Sequence, residues 1–230
     1  MFRKVIVTGA NGGLGKVITQ FLLNEGHSVF GILSPRSSNL NEIESSFRNN
    51  SLLQLKSLDL KNEQAVKDYI DSLDAIDAAV LSAGGFQMGK TEDTSEADLD
   101  DMININFKTA FFISKYLAIR FKTKTTGRII YISSKPAIEK GGKHLTAYSV
   151  SKHMLHKLAE IMNEEFAGTN ASASVIAPDM IATEANKQAM PNSDFNTFVD
   201  PMEIAYFIDM LLSEQSGKWR EPVIKLYGSY

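Results

Sequence analysis

The sequence predicts a doubly wound α/β fold: a mostly parallel sheet of about seven strands with helices on both faces, Rossmann-like in outline. Three observations carry this. Short apolar runs rich in β-branched residues recur, and most are followed by a helical pattern. The runs are nearly continuous in apolar character, which marks strands buried on both faces and therefore parallel. No repeat, low-complexity stretch or linker interrupts the alternation between residues 4 and 226, so residues 1–230 are expected to form a single domain.

The elements follow in order. Strands are expected at residues 4–8, 28–33, 52–58, 78–82, 128–133, 173–176 and 223–226. Helices are expected at 14–24, 39–47, 63–72, 99–121, 147–166 and 201–213. The acidic stretch 92–101 reads as a solvated helix entry, where carboxylates suit the positive end of the helix dipole.

Composition excludes several functions. Twenty-four basic against 27 acidic residues leave a net charge of -3, which offers nothing to nucleic acid or to an anionic membrane. There is no cysteine, hence no disulfide, thiolate metal site or thiol nucleophile. No apolar run approaches the length of a membrane span, and the amino terminus enters a strand without a signal core, so the chain reads as cytoplasmic. His27, His144, His153 and His156 lack the acidic or thiolate companions of a metal set, and no metal is expected.

Between the first strand and helix lies Thr8-Gly9-Ala10-Asn11-Gly12-Gly13-Leu14-Gly15. Glycines here let the chain turn tightly, bring backbone N–H groups to a pyrophosphate and let helix pack on strand, while the helix start adds partial positive charge. In this context the loop, with Gly9, Asn11, Gly13, Leu14 and Gly15, points to a dinucleotide. The second strand ends without the acidic residue that would accept from the ribose of NAD. It runs instead into Ser34-Pro35-Arg36, whose hydroxyl and guanidinium suit a 2′-phosphate, so NADP is favoured over NAD.

Tyr148-Ser149-Val150-Ser151-Lys152 puts a phenol and an ammonium on one helix face, beyond the carboxyl end of a strand, where ligands bind in such sheets. The ammonium is expected to favour phenolate, lowering the tyrosine from its ordinary pKa of about 10. Upstream, Ser133-Ser134 closes a buried strand with two hydroxyls, either able to donate to a substrate carbonyl.

The glycine loop, the Ser-Ser strand end and the Tyr-x-x-x-Lys helix, in this order, resemble the short-chain dehydrogenase/reductase family in its compact form. The resemblance covers essentially the whole chain. It implies hydride transfer between a nicotinamide cofactor and a carbonyl or secondary alcohol. Tyr148 would be the general acid/base, Lys152 would lower its pKa and hold the nicotinamide ribose, and Ser134 would polarise the carbonyl. Asn106 matches the asparagine that holds a water in the proton relay; a buried helix asparagine without partners would also be costly. On the cofactor side, Asp59-Leu60 resembles the pair bordering the adenine, and Ala83-Gly84 the turn after the fourth strand. Pro178 and Thr183 match the segment closing over the nicotinamide. A homotetramer, or failing that a dimer, is implied through the helices at 99–121 and 147–166.

The chain departs from the family pattern in three places. Ser134 precedes Tyr148 by fourteen residues, one more than usual, which suggests an insertion within 135–146. Ser82 stands where the family has an asparagine tying strands together, which puts local stiffness in question. Asp179 stands where it has glycine; aspartate tolerates positive φ, and a carboxylate there bears on substrate choice or on the oxidised cofactor. Residues 184–199 read as a mobile lid, and Met88, Met180 and Met190 as gap-filling core methionines. The reading of a different class is a non-catalytic dinucleotide-binding sensor or interaction protein on the same fold.

Overall fold

The computed structural model describes residues 3–35, 43, 45–47, 50–219 and 223–228. The first half runs β1 (Lys4–Thr8), α1 (Gly13–Asn24), β2 (Ser28–Leu33), β3 (Leu53–Ser57), α2 (Glu63–Ser72) and β4 (Ala78–Leu81). The second runs α3 (Glu96–Ile103), a π-helical turn (Asn104–Lys108), α4 (Thr109–Lys124), β5 (Thr126–Ile132) and α5 (Thr146–Glu165). It closes with β6 (Asn170–Pro178), α6 (Glu184–Ala189), α7 (Pro201–Leu212) and β7 (Val223–Leu226). Arg36 and most of the helix expected over 39–47 lie outside the described residues.

The seven strands form one sheet in the order β3-β2-β1-β4-β5-β6-β7, and every pairing is parallel. Chain order reverses between β1 and β4, so the loops leaving those two strands splay apart and open a crevice at the carboxyl edge of the sheet. The period of two divides the core. Val5 and Val7 of β1 pack with α1 and α7 through Ile18, Leu22, Ile204 and Ile208, whereas Ile6 between them packs on the opposite face with Ile113, Leu117 and Leu155. Ile129 and Tyr131 join the second face and Ile130 and Ile132 the first.

Two sequence expectations need correction. Strand β6 is longer than residues 173–176, because pairing with β5 from Thr126↔Asn170 to Ile132↔Ile176 recruits small residues that carry no strong strand signal of their own. The helix expected over 99–121 begins earlier, at a capping box in which Ser95 accepts from the Asp98 amide and the Asp98 carboxylate accepts from Ser95, and it is interrupted by the π turn. The acidic entry is thus a built helix start. Among the described residues no helix is long and apolar enough to cross a membrane.

Candidate active site

The glycine loop is as tight as its composition requires. Gly9 has φ +65°, and a Cβ there would come within 3.2 Å of the Ala83 Cα. A Cβ on Gly15 would stand 2.0 Å from the Gly9 carbonyl oxygen, so α1 reaches the end of β1 only as glycine. The ends of β1 and β4 are tied together: the Ser82 hydroxyl donates to the Thr8 carbonyl at 2.5 Å, and the Ala83 amide donates to the Thr8 hydroxyl at 3.0 Å. Ser82 therefore supplies a tie of its own.

Between these loops lies a cleft of about 340 Å³ lined by Gly9, Asn11, Ser34, Asp59, Leu60, Ala83 and Gly84, all expected from the sequence on the cofactor side. Gly12, Pro35, Lys61, Ile105 and Thr109 line it as well. Lys61 had a legible cue in directly following Asp59-Leu60; Ile105 and Thr109 had none, since only the packing of their helix brings them there. Gly13, Leu14, Gly15, Pro178 and Thr183 are not in that lining. Thr183 instead lies against the glycine loop, where a Cβ on Gly13 would come within 3.0 Å of its Cβ and Cγ2.

The proton-transfer candidates converge from three elements on the same edge. Lys152 is 5% exposed and its Nζ donates to the Ile132 carbonyl at 2.9 Å. Asn106 is 1% exposed; its Oδ1 accepts from the Gly85 amide at 2.9 Å and its Nδ2 donates to Ser151 Oγ at 3.1 Å. Both meet at Gly84, where a Cβ would come within 2.6 Å of Asn106 Oδ1 and 2.9 Å of Lys152 Nζ. The π turn sets this arrangement: its wider ring rotates Asn106 inward, toward Gly85 and α5. Ser134 Oγ is buried without a hydrogen-bond partner of good geometry, yet near enough to Tyr148 to oppose part of the rise that burial gives its pKa. Phe86 meets the Tyr148 ring edge-on, centroids 5.0 Å apart. A glycine-walled cleft that leads to an unpaired hydroxyl beside a phenol fits an elongated dinucleotide with a separate carbonyl compound at its end.

The electrostatics differ from the sequence expectation. Burial raises the Tyr148 pKa above its ordinary value, and the opposing influence is Ser134 rather than Lys152. Burial also lowers Lys152 to about 8. The physical reason is that the ammonium is itself desolvated and directed at the Ile132 carbonyl. At neutral pH the phenol is therefore protonated and stands ready as an acid.

Asp179 does not take positive φ, which among described non-glycine residues is confined to Thr125 and His144. Its Oδ2 accepts from Lys135 Nζ at 2.6 Å. His153 and His156 stack at 5.4 Å and bond Ala137 and Ser133 respectively, so they brace the strand end. Met88 and Met180 are exposed, not core, because the loops carrying them leave the sheet edge. Residues 184–199 are pinned at their base, where Ala182 donates to the Val199 carbonyl and Val199 to the Met180 carbonyl. A larger cleft of about 540 Å³ opens at the opposite edge of the sheet, beside His27. That imidazole accepts from the Arg3 amide and meets Asp209, so both nitrogens are engaged and it offers no reactive base.

Comparison with known proteins places this geometry. A short chain dehydrogenase family model matches residues 3–194. The 2-dehydro-3-deoxy-D-gluconate 5-dehydrogenase of Bacillus subtilis (strain 168) is 27% identical over 221 residues, covering 94% of this chain and 82% of that protein. The protein of that name from Escherichia coli (strain K12) is 29% identical over 223 residues, covering 94% and 82%. Among solved structures, ElxO with NADP bound superposes with a TM-score of 0.88 at 22% identity, covering 98% of this chain and 97% of that one. NAD+-bound xylitol dehydrogenase superposes with a TM-score of 0.87 at 23% identity, covering 99% and 98%. At such identities these structures speak to the fold.

Proposed function

Because this chain belongs to the short-chain dehydrogenase/reductase family, we propose that it transfers a hydride between NADP(H) and a small-molecule carbonyl or secondary alcohol. The observation that carries the proposal is the convergence of Asn106, Lys152 and the Tyr148–Ser134 pair at the cofactor end of β4 and β5. When bound, the nicotinamide supplies or accepts the hydride. Tyr148 holds the proton that the carbonyl oxygen takes up in reduction. Ser134, whose hydroxyl lacks an internal partner, donates to that oxygen as charge develops on it. Lys152 and Asn106 hold the ribose side and the proton path, both anchored to backbone groups. The raised Tyr148 pKa favours the acid role; in oxidation the positive charge of the cofactor offsets it.

NADP is preferred over NAD in this reading because Ser34 and Lys61 line the adenosine end of the cleft and no acidic side chain ends β2. The proposal extends to one catalytic domain over residues 1–230, a cytoplasmic location and a homotetramer, or failing that a dimer. The oligomer is supported by exposed Ile119, Val150 and Ile161 on α4 and α5. A sensor that only bound a dinucleotide would have no use for a phenol beside an unpaired serine hydroxyl at the end of the cleft.

The test is Tyr148→Phe assayed with a panel of ketones. Turnover should fall by about 10²–10⁴-fold, the usual worth of a positioned acid/base, while NADPH binding persists. Undiminished turnover would end the assignment of Tyr148.

A further inference from the structure

The Ser134 hydroxyl beside Tyr148 has no hydrogen-bond partner of good geometry, so its place is set by the chain on either side of it. Ser133, just before, continues the alternation of Ile129 and Tyr131 onto the face packed with Leu155 and Ala159 of α5. The buried Ser133 hydroxyl donates to the Lys152 carbonyl at 3.2 Å; with its single proton spent there, it accepts from His156 Nε2 at 2.7 Å. Ala137, just after, has its carbonyl 2.7 Å from His153 Nδ1, which donates because a carbonyl only accepts. The two imidazoles stand one turn apart on α5, centroids 5.4 Å apart and planes 13° from parallel. The helix that carries the Tyr148 phenol thus grips the chain on both sides of Ser134.

Resting on the oxidoreductase reading above, we propose that His153 and His156 are positioning residues that set the separation between the Ser134 hydroxyl and the Tyr148 phenol. Packing alone does not ask for imidazoles here. Leu155 and Ala159 on the same helix fill the core with apolar side chains, whereas the two histidines spend N–H groups on the hydroxyl and the carbonyl that flank Ser134. Their effect reaches the reaction through Ser134. A carbonyl oxygen has to meet hydroxyl and phenol together, and a displacement of about 1 Å at such a site costs about 10²-fold in rate. A hydroxyl without a partner of its own resists that displacement only if its backbone is held. Burial, with the neighbouring His153 second, lowers His156 to about 4, so at neutral pH it is a fixed neutral donor.

The test assays the full chain with NADPH and the ketone panel. His156→Leu and His153→Leu should each lower kcat by about tenfold or more with the KM for NADPH within about twofold, and His156→Gln, whose amide donates in place of Nε2, should recover most of the loss. His156→Leu combined with Ser133→Ala removes both polar partners at once, so its urea midpoint should return toward wild type while kcat stays low. In a Ser134→Ala background, where no hydroxyl is left to place, adding His156→Leu should cost less than about twofold. Full kcat in both histidine variants, an equal loss in both backgrounds, or kcat that recovers together with stability overturns the positioning role and leaves the oxidoreductase reading standing. Nitrogen-15 spectra read the geometry without turnover: His156 should carry its proton on Nε2 at neutral pH, and a proton on Nδ1 instead overturns the role whatever the activity. A wild-type chain that reduces none of the ketones overturns both readings.

Discussion

Replacing Lys152 with Met should inactivate the protein and yet stabilise it at neutral pH. The ammonium is buried, and desolvation takes its pKa from 10.5 to about 8. At about 1.4 kcal/mol per tenfold change in proton affinity, the folded state bears a cost of about 3 kcal/mol for keeping that charge. Methionine fills much the same volume without the charge, but the Ile132 carbonyl loses its donor, which returns about 1–2 kcal/mol. The expected net gain at pH 7 is about 1–2 kcal/mol, or a rise in Tm of about 2–8 °C for a chain of this size. The pH dependence has a definite sign. The unfolded chain keeps the Lys152 proton up to pH 10.5, whereas the folded protein releases it near pH 8. Within that window the unfolded state binds more protons, so wild-type stability gains with rising pH. The advantage of Lys152→Met is therefore full below pH 8 and fades toward pH 10.5. Urea unfolding of both proteins at several pH values measures this. A variant less stable than wild type at pH 7, or a difference that ignores pH, would refute the reasoning.

Further outcomes follow from the same geometry. Asn106→Ala takes the acceptor from the part-buried Gly85 amide and one of two partners from the buried Ser151 hydroxyl, so stability should fall by about 1–3 kcal/mol in denaturant titration, with a drop in kcat. Ser34→Asp puts a carboxylate at the end of β2, which accepts from a ribose diol and repels a 2′-phosphate; the ratio of NADP to NAD efficiency should fall by about tenfold or more in steady-state kinetics. Light scattering should report a tetramer or dimer, and Ile119→Lys with Val150→Lys should shift it toward monomer.

Much of the architecture was legible before any coordinates. Apolar runs and helical periods are local signals, and they located all seven strands, β1, β2 and β7 to the residue. The glycine loop was legible because steric need at Gly9 and Gly15 is local too. Tyr148 and Lys152 were legible because one helical turn separates them, and Ser134 because it ends a strand. The π turn was not, since its wider ring answers to what Asn106 touches across the fold, not to the residues that form it.

By itself, then, the sequence determined the elements, their parallel stacking and the identity of the groups at one sheet edge, all consequences of short-range pattern. The tertiary structure decided how those groups behave. Burial, not the neighbouring ammonium, sets the Tyr148 pKa, and the dielectric around a side chain is a property of everything packed on it. Asp179, which the sequence marked only as a departure, meets Lys135 across 44 residues because parallel crossovers return β6 beside β5. Contacts of that separation exist only after the sheet has closed.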